Sequence, residues 1–242
     1  MLKKLKYRYR ALRYKYKLDS PEIRSISQHL KKGDTAVDIG MHKGAYLYWL
    51  NKSVGKTGQV FGFEPQPQLY AYLKGIKQAF DYQNITLENK GVSSQKGQFS
   101  LFVPDNNGKG TSPGATLNAS KAEEEACTEI QIETVTLDEY FHPEQKIVLI
   151  KIDVEGHEMA VFQGAQRLLN EQHPVLLFEC EQRHNKELDI HDIFEYLKGL
   201  GYSGYFFHEN QIKPIEAFSL EQHQIHPDPK SSAYCNNFLF KI

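Results

Sequence analysis

An apolar run that stops at an acid and then breaks through two glycines limits what this chain can fold into. In Thr35 to Gly44, TAVDIGMHKG, the run ends at Asp38, turns through Gly40 and Gly44 and enters an apolar helical pattern. Buried parallel strands hand over to ligand-binding loops in this way. The glycines let backbone pass close to a ligand. Their spacing is Gly-x-x-x-Gly rather than Gly-x-Gly-x-x-Gly, and Asp38 stands two residues before the first of them. A carboxylate there repels a pyrophosphate but attracts the ammonium and sulfonium of S-adenosylmethionine, so a methyl donor suits the loop better than NAD.

The rest of the chain repeats this unit. Ser20 and Pro21 read as N-cap and first turn of a short helix with Ile23, Ile26 and Leu30 on one face, closed by Gly33. After the glycine loop comes a helix with Tyr46, Leu47, Trp49 and Leu50, then a strand, Gln59 to Phe63, ending in Glu64. Glu64 follows Gly40 by 24 residues. That is where a ribose-binding carboxylate falls in nucleotide-binding α/β units, one helix and one strand taking roughly 20 residues. An exposed loop glutamate is the alternative. A helix from Gln66 to Phe80 buries Leu69, Tyr72, Leu73, Ile76 and Phe80, and a strand with Ile85 and Leu87 ends near Asn89, where an adenine can be held.

Phe99 to Val103 and Glu129 to Val135 alternate as a hairpin, joined by a tip of about 104–128 rich in Gly, Pro, Asn and Ser. So long a loop is either a binding loop or a floppy insertion, and it is read here as a mobile lid over the substrate. Ile147 to Glu158, IVLIKIDVEGHE, is a buried strand ending in Asp153 and followed by Glu155, Gly156, His157 and Glu158. A helix with Val161, Phe162, Ala165, Leu168 and Leu169 comes next. Val175 to Phe178 again ends in acids, Glu179 and Glu181. A helix around Ile193 to Leu200 precedes two last strands, Tyr202 to His208 and Asn237 to Ile242. This alternation predicts a mostly parallel sheet with helices on both faces and ligands beyond the carboxyl ends of the strands, where Asp38, Glu64, Asn89, Asp153 and Glu179 all fall.

The net charge of −1 hides a separation. The first 17 residues hold eight basic residues and no acid, leaving 21 basic against 30 acidic residues elsewhere. Leu2, Leu5, Tyr9, Leu12 and Tyr16 share one helical face of this arm, a pattern that suits docking to an anionic membrane surface or an acidic partner, or packing on the chain's own domain. The arm is taken as residues 1–18 and the remainder, 19–242, as one domain. Nucleic acid is not expected as a partner, because the acidic body repels phosphates. Cys127, Cys180 and Cys235 suggest neither disulfides nor a zinc site, and His223 and His226 read as a solvated loop. No stretch has the length of a membrane span or the apolar core of a signal peptide, so a cytoplasmic protein, peripheral to the inner face of a membrane if the arm docks, is expected.

Taken together, LKKGDTAVDIGMHKGAY, VFGFEPQP, VTLDEYF, LIKIDVEGHE with Gly164-Ala165, and PVLLFE resemble the FkbM-like S-adenosylmethionine-dependent methyltransferases over about residues 20–242. Met41-His42-Lys43 departs from the small neutral residues usual in that loop. The resemblance implies a three-layer Rossmann-like sheet of seven mostly parallel strands with an antiparallel last strand. It also implies bound S-adenosylmethionine and O-methylation of a hydroxyl on a sugar, glycan or natural product. Asp38, Gly40 and Gly44 would hold the methionine part, Glu64 the ribose and Asn89 the adenine region. The turn acids Asp153 and Glu155 are left for chemistry with His157, the general base suited by type with an ordinary pKa of about 6.5, although it can also merely cap its helix. A Mg²⁺ held by Asp153 and Glu179 is a less favoured alternative. An inactive scaffold on the same fold is the rival class; a nicotinamide oxidoreductase is disfavoured by the glycine spacing.

Overall fold

Successive side chains of a strand point to opposite faces of its sheet, and here each face carries its own core. The computed structural model describes residues 2–105, 110–118, 126–185 and 188–242. The chain opens with α1 (Leu2–Arg13), a π-helical turn (Tyr14–Leu18) and α2 (Ser20–His29). β1 (Thr35–Ile39), α3 (Ala45–Val54), β2 (Gln59–Phe63), α4 (Pro67–Phe80) and β3 (Ile85–Glu88) follow. Next come β4 (Gly91–Val92), β5 (Gly97–Pro104), β6 (Cys127–Val135), α5 (Leu137–Tyr140) and β7 (Leu149–Ile152). The last part holds α6 (Glu158–Gln163), α7 (Gln166–Gln172), β8 (Val175–Glu179), α8 (Ile190–Gly199), β9 (Ser203–His208), β10 (Gln211–Pro214) and β11 (Asn237–Lys241).

The main sheet runs β10-β9-β11-β8-β7-β1-β2-β3. β3, β2, β1, β7 and β8 are parallel, while β11 lies antiparallel between β8 and β9. These are the seven expected strands. An eighth, β10, extends the edge through a two-residue turn at Glu209 and Asn210, both with positive φ as hairpin turns of this hand require. The expected hairpin is β5 with β6, paired from Gly97–Thr134 to Pro104–Cys127, and β4 completes a small second sheet.

Val37, Ile39, Ile150, Ile152, Leu176 and Phe178 face one core with α6, α7 and α8. Ala36, Leu149 and Leu177 face the other, with α2 and α3. Two expectations change. The helix after IDVEGHE is two helices, broken at Gly164 and Ala165, and Ser20 lies within α2, with Asp19 flanking it. Asp19 caps nothing with its side chain, which instead accepts a hydrogen bond from the Tyr46 hydroxyl at 2.8 Å.

The basic arm packs on the body. Tyr7 and Ala11 are fully buried, Tyr7 contacting the rings of Tyr48 and Phe80, and the Trp49 indole N–H donates to the Ala11 carbonyl at 2.8 Å. A bend at Asp19, φ −122, separates the π-helical turn from α2.

Candidate active site

Strand register gathers the charged groups. Asp38 on β1 pairs in register with Lys151 on β7, and parallel neighbours in register point to the same face. Asp153 lies two residues beyond Lys151, hence on that face, and Glu179 ends β8 one step past the Ile152–Phe178 pair. The Lys151 ammonium, buried, sits 3.1 Å from Asp153 Oδ2 and 4.7 Å from the centre of the Tyr46 ring. Burial pulls its pKa down, but Asp153, Asp38 and Glu179 outweigh that and hold it raised. Burial likewise pushes the carboxylates up: Asp38 to about 7, with Asp153 and Glu179 also raised against the pull of Lys151. Both Asp38 oxygens are buried with no hydrogen-bond partner among the described residues. Lys151 is the member that sequence reasoning missed. Its signal was a lone charge inside the apolar run LIKI, which reads as an interruption unless the register to Asp38 is known.

Two cavities meet here. A smaller one of about 230 Å³ is lined by Gly40, Phe63, Glu64, Gln66, Gly91, Val92, Glu155 and His157. A larger one of about 710 Å³ is lined by Asp38, Lys151 and Tyr46, by Arg10 and Lys17 of the arm, and by residues 229–232 and 234–237. Tyr14, Gly40, His42, Asp153 and Glu179 border both.

The predicted residues divide accordingly. Glu64 is buried on the smaller cavity, its Oε2 accepting from His42 N at 2.7 Å and Oε1 from Gln66 N at 3.0 Å. Burial drives its carboxyl up to about 8 despite those donors. Gly40 has φ +76, and a Cβ there would lie 1.8 Å from the Asp153 carbonyl, so the glycine is demanded by the neighbouring strand end as well as by any ligand. Gly44 lines neither cavity. A Cβ on it would meet Leu73 and Tyr7 at 2.9 and 3.0 Å, so the glycine lets α3 pack against α4 and the arm. The Asn89 amide donates to the Glu64 and Pro65 carbonyls at 2.8 and 3.0 Å, clamping backbone, and the next residues, Lys90 to Val92, line the smaller cavity.

The unusual Met41-His42-Lys43 insert has a physical explanation. Met41 fills the space over Gly62, where a Cβ would come within 2.1 Å of its sulfur. His42 takes a left-handed backbone, φ 48, which aims its N–H at Glu64. Burial first, then Lys43 and Arg10, hold the His42 imidazole down at about 4, and its Nε2 has no partner among the described residues.

Past Asp153, Glu155 pairs with His184 at 2.8 Å and its carbonyl accepts from Thr116 Oγ1 at 2.7 Å. His157 Nε2 is 2.9 Å from Ser93 Oγ, and burial lowers its pKa to about 4. It lies at the start of α6 without a side-chain capping bond and lines only the smaller cavity. Glu181 forms a latch with Arg183, Tyr234 and Asn236. Burial opposes its ionisation, yet those bonds hold it down at about 2. The loop expected to cover the substrate has its described residues 110–118 against the smaller cavity, with Ser112 bonded twice to Gln66 and Thr116 bridged to Phe102. Residues 106–109 and 119–125 of that loop lie outside the described residues.

His223, expected in a solvated loop, is buried instead. Its ring stacks on Phe218, and its Nδ1 bonds Ser219. It comes together with His208 and Cys235, their ligand-type atoms within 4.8 Å of one another, and the Lys213 ammonium contacts His208 Nδ1 at 2.9 Å. The three cysteines are free thiols.

A strand-end carboxylate beside a glycine loop, a buried glutamate one βα unit later and a paired cavity beyond them form a fold shared with known methyltransferases. A structure of a methyltransferase FkbM from Methylobacillus flagellatus KT superposes with TM-score 0.56 at 14% identity, covering 92% of this chain and 58% of that one. This chain therefore spans little more than half of that protein. A SAM dependent methyltransferase from Aquifex aeolicus superposes with TM-score 0.51 at 14% identity, covering 94% and 92%. Among curated proteins none matches. The methyltransferase FkbM domain matches residues 38–203, from the carboxylate of the glycine loop to the first residue of β9. The chain belongs to the methyltransferase FkbM domain family.

Proposed function

We propose that the protein transfers a methyl group from S-adenosylmethionine to a hydroxyl of a sugar, glycan or natural product, the donor's nucleoside lying in the smaller cavity and the acceptor entering the larger. The observation that carries this reading is the strip shared by both cavities, Gly40, His42, Asp153 and Glu179, where donor and acceptor would meet. When bound, the donor supplies an electrophilic methyl on a sulfonium whose charge is consumed in the transfer.

The chain's own groups fit that ligand. Asp38, with two unpartnered oxygens, suits an ammonium, and Glu64, oriented by two backbone N–H groups, retains lone pairs for ribose hydroxyls. Much of the acceleration in such a reaction comes from aligning donor and acceptor. A hydroxyl acceptor must also lose its proton, and we assign that proton to the Asp153–Glu179 pair. Asp153 borders both cavities; His157 borders one, and burial leaves it a weak base. Lys151 offsets the charge of the pair. This favours metal-free chemistry over a Mg²⁺ at Asp153 and Glu179, since an ammonium 3.1 Å from Asp153 would be displaced or repelled by the ion.

Calorimetric titration with S-adenosylhomocysteine and with NADH tests the donor. Binding of the first alone is expected; binding of neither would leave the inactive-scaffold reading, and binding of NADH alone an oxidoreductase. With radiolabelled donor and a panel of soluble hydroxyl acceptors, Asp153→Asn should lower turnover by about 100-fold or more while His157→Ala stays close to wild type. The opposite ranking would return the general base to His157. Activity lost on exhaustive EDTA treatment and restored by Mg²⁺ would establish the metal alternative.

A further inference from the structure

The side of α1 turned away from the body carries a stripe that nothing in the catalytic reading uses. Leu2, Leu5, Tyr9, Leu12, Tyr16 and Leu18 are six of the nine exposed large hydrophobic side chains among the described residues, with Leu5, Tyr9 and Tyr16 between 66 and 69% exposed. At 3.6 residues per turn, Leu2, Leu5, Tyr9 and Leu12 fall opposite Tyr7 and Ala11, the residues that fix α1 to the domain. Cations border the stripe on both sides. Lys4 and Arg8 lie along one edge, over the Phe80 ring at 5.4 and 5.3 Å, continued by Lys15 over Trp49 at 4.5 Å. Exposed Lys3, Lys6, Arg13 and Lys17 line the other. No acid interrupts the first 18 residues.

We propose that this face is a docking surface for an anionic lipid bilayer, with α1 lying in the plane of the interface. The two rows of cations meet lipid phosphates while the leucines and tyrosines enter the boundary of headgroups and acyl chains. Charge complementarity selects this occupant: a neutral protein groove would accept the apolar stripe but leave both cationic rows unmatched, and a nucleic acid would match the rows but leave the leucines in water. Because Tyr7 and Ala11 hold α1 rigidly, docking also orients the body. Arg10, Tyr14, Lys17 and Leu18 wall the larger cavity, so its mouth lies beside the bilayer. If that cavity takes the acceptor, as read above, the acceptor hydroxyl belongs to a headgroup or lipid-linked molecule; the docking itself stands without that reading.

Sedimentation of the full chain with phosphatidylglycerol vesicles and with phosphatidylcholine vesicles tests the proposal. Binding to the first only, weakening as salt is raised, is expected. The triple variant Leu5→Asp, Tyr9→Asp, Leu12→Asp should bind at least about tenfold more weakly, because it removes apolar area and adds charge against the lipid. These side chains are exposed, so its melting temperature and its S-adenosylhomocysteine affinity should match wild type, separating failed docking from failed folding or an absent donor site. Equal binding to both lipids, or undiminished binding by the triple variant, would overturn the proposal. Tighter binding to duplex DNA than to phosphatidylglycerol at the same salt would overturn it in favour of a nucleic-acid surface.

Discussion

Lys151 lies in the interior among Asp38, Asp153 and Glu179, a charged side chain in a place where cores seldom admit one. Removing one partner of a buried ion cluster leaves uncompensated charge, typically a loss of about 3–5 kcal/mol. Lys151→Met should therefore be strongly destabilised in urea at pH 7 and less so at pH 5, as the raised carboxylates take up protons. Equal destabilisation at both pH values would show that the lysine acts through packing alone. The acids of this cluster were legible in the sequence because each ends a recognisable strand. Their partner was not, since pairing of β1 with β7 joins residues more than a hundred positions apart and no local pattern encodes it. The surroundings of Gly44 and Asn89 were hidden for a related reason: the atoms beside them come from Leu73, Tyr7 and the Glu64 backbone, which no local pattern names.

Among the elements, α1 shows how an amphipathic pattern can be read correctly and still leave its orientation open. The apolar stripe exists, yet the helix turns a different edge to the domain, anchored by Tyr7. The cause lies in Tyr48, Trp49 and Phe80, whose rings form an aromatic seat for Tyr7 and for the cations beside it. Tyr7 fits that seat imperfectly, because its hydroxyl is buried without a hydrogen-bond partner among the described residues. An unsatisfied buried hydroxyl costs about 1–3 kcal/mol, so Tyr7→Phe should leave the protein as stable or more stable. Tyr7→Ala should cost about 3–5 kcal/mol, as for other large aromatic truncations. Chemical denaturation of the two variants checks both; a Tyr7→Phe loss as large as that of Tyr7→Ala would mean the hydroxyl is satisfied by water. The helix after IDVEGHE teaches a similar lesson, its single apolar stripe being shared by two short helices.

Across the whole molecule the buried acids set a pH dependence. Glu22 and Glu64 are pushed up to about 8, Asp38 and Glu158 to about 7, in each case chiefly by burial. Groups raised on folding contribute stability that is complete below their unfolded pKa, near 4, and is lost as pH climbs through 7 to 8. His42 and His157, lowered to about 4, contribute above 6.5 and lose that contribution as pH falls towards 4. Glu181, held down at about 2, contributes throughout this range and loses that contribution only as pH falls from about 4 towards 2. Above pH 6.5 the raised carboxylates are thus unopposed, and the melting temperature of the ligand-free protein should fall from pH 6.5 to 8.5. Saturating S-adenosylhomocysteine, whose ammonium compensates Asp38 on the donor reading, should flatten that fall. A ligand-free melting temperature constant or rising across this range would contradict the assignment. The parallel sheet, the strand ends where its acids gather and its antiparallel end were all visible in strand and helix alternation; the second cavity was not, because its walls come from segments with no common motif.

Those walls have a consequence for how the protein is made. Among the described residues the lining of the smaller cavity is complete by Glu179, whereas that of the larger draws on residues from Arg10 to Asn237. During synthesis from the N-terminus, the larger chamber cannot close until the start of β11 has left the ribosome. A chain stalled after β8 would already carry every described residue that lines the smaller chamber and would still lack one side of the larger.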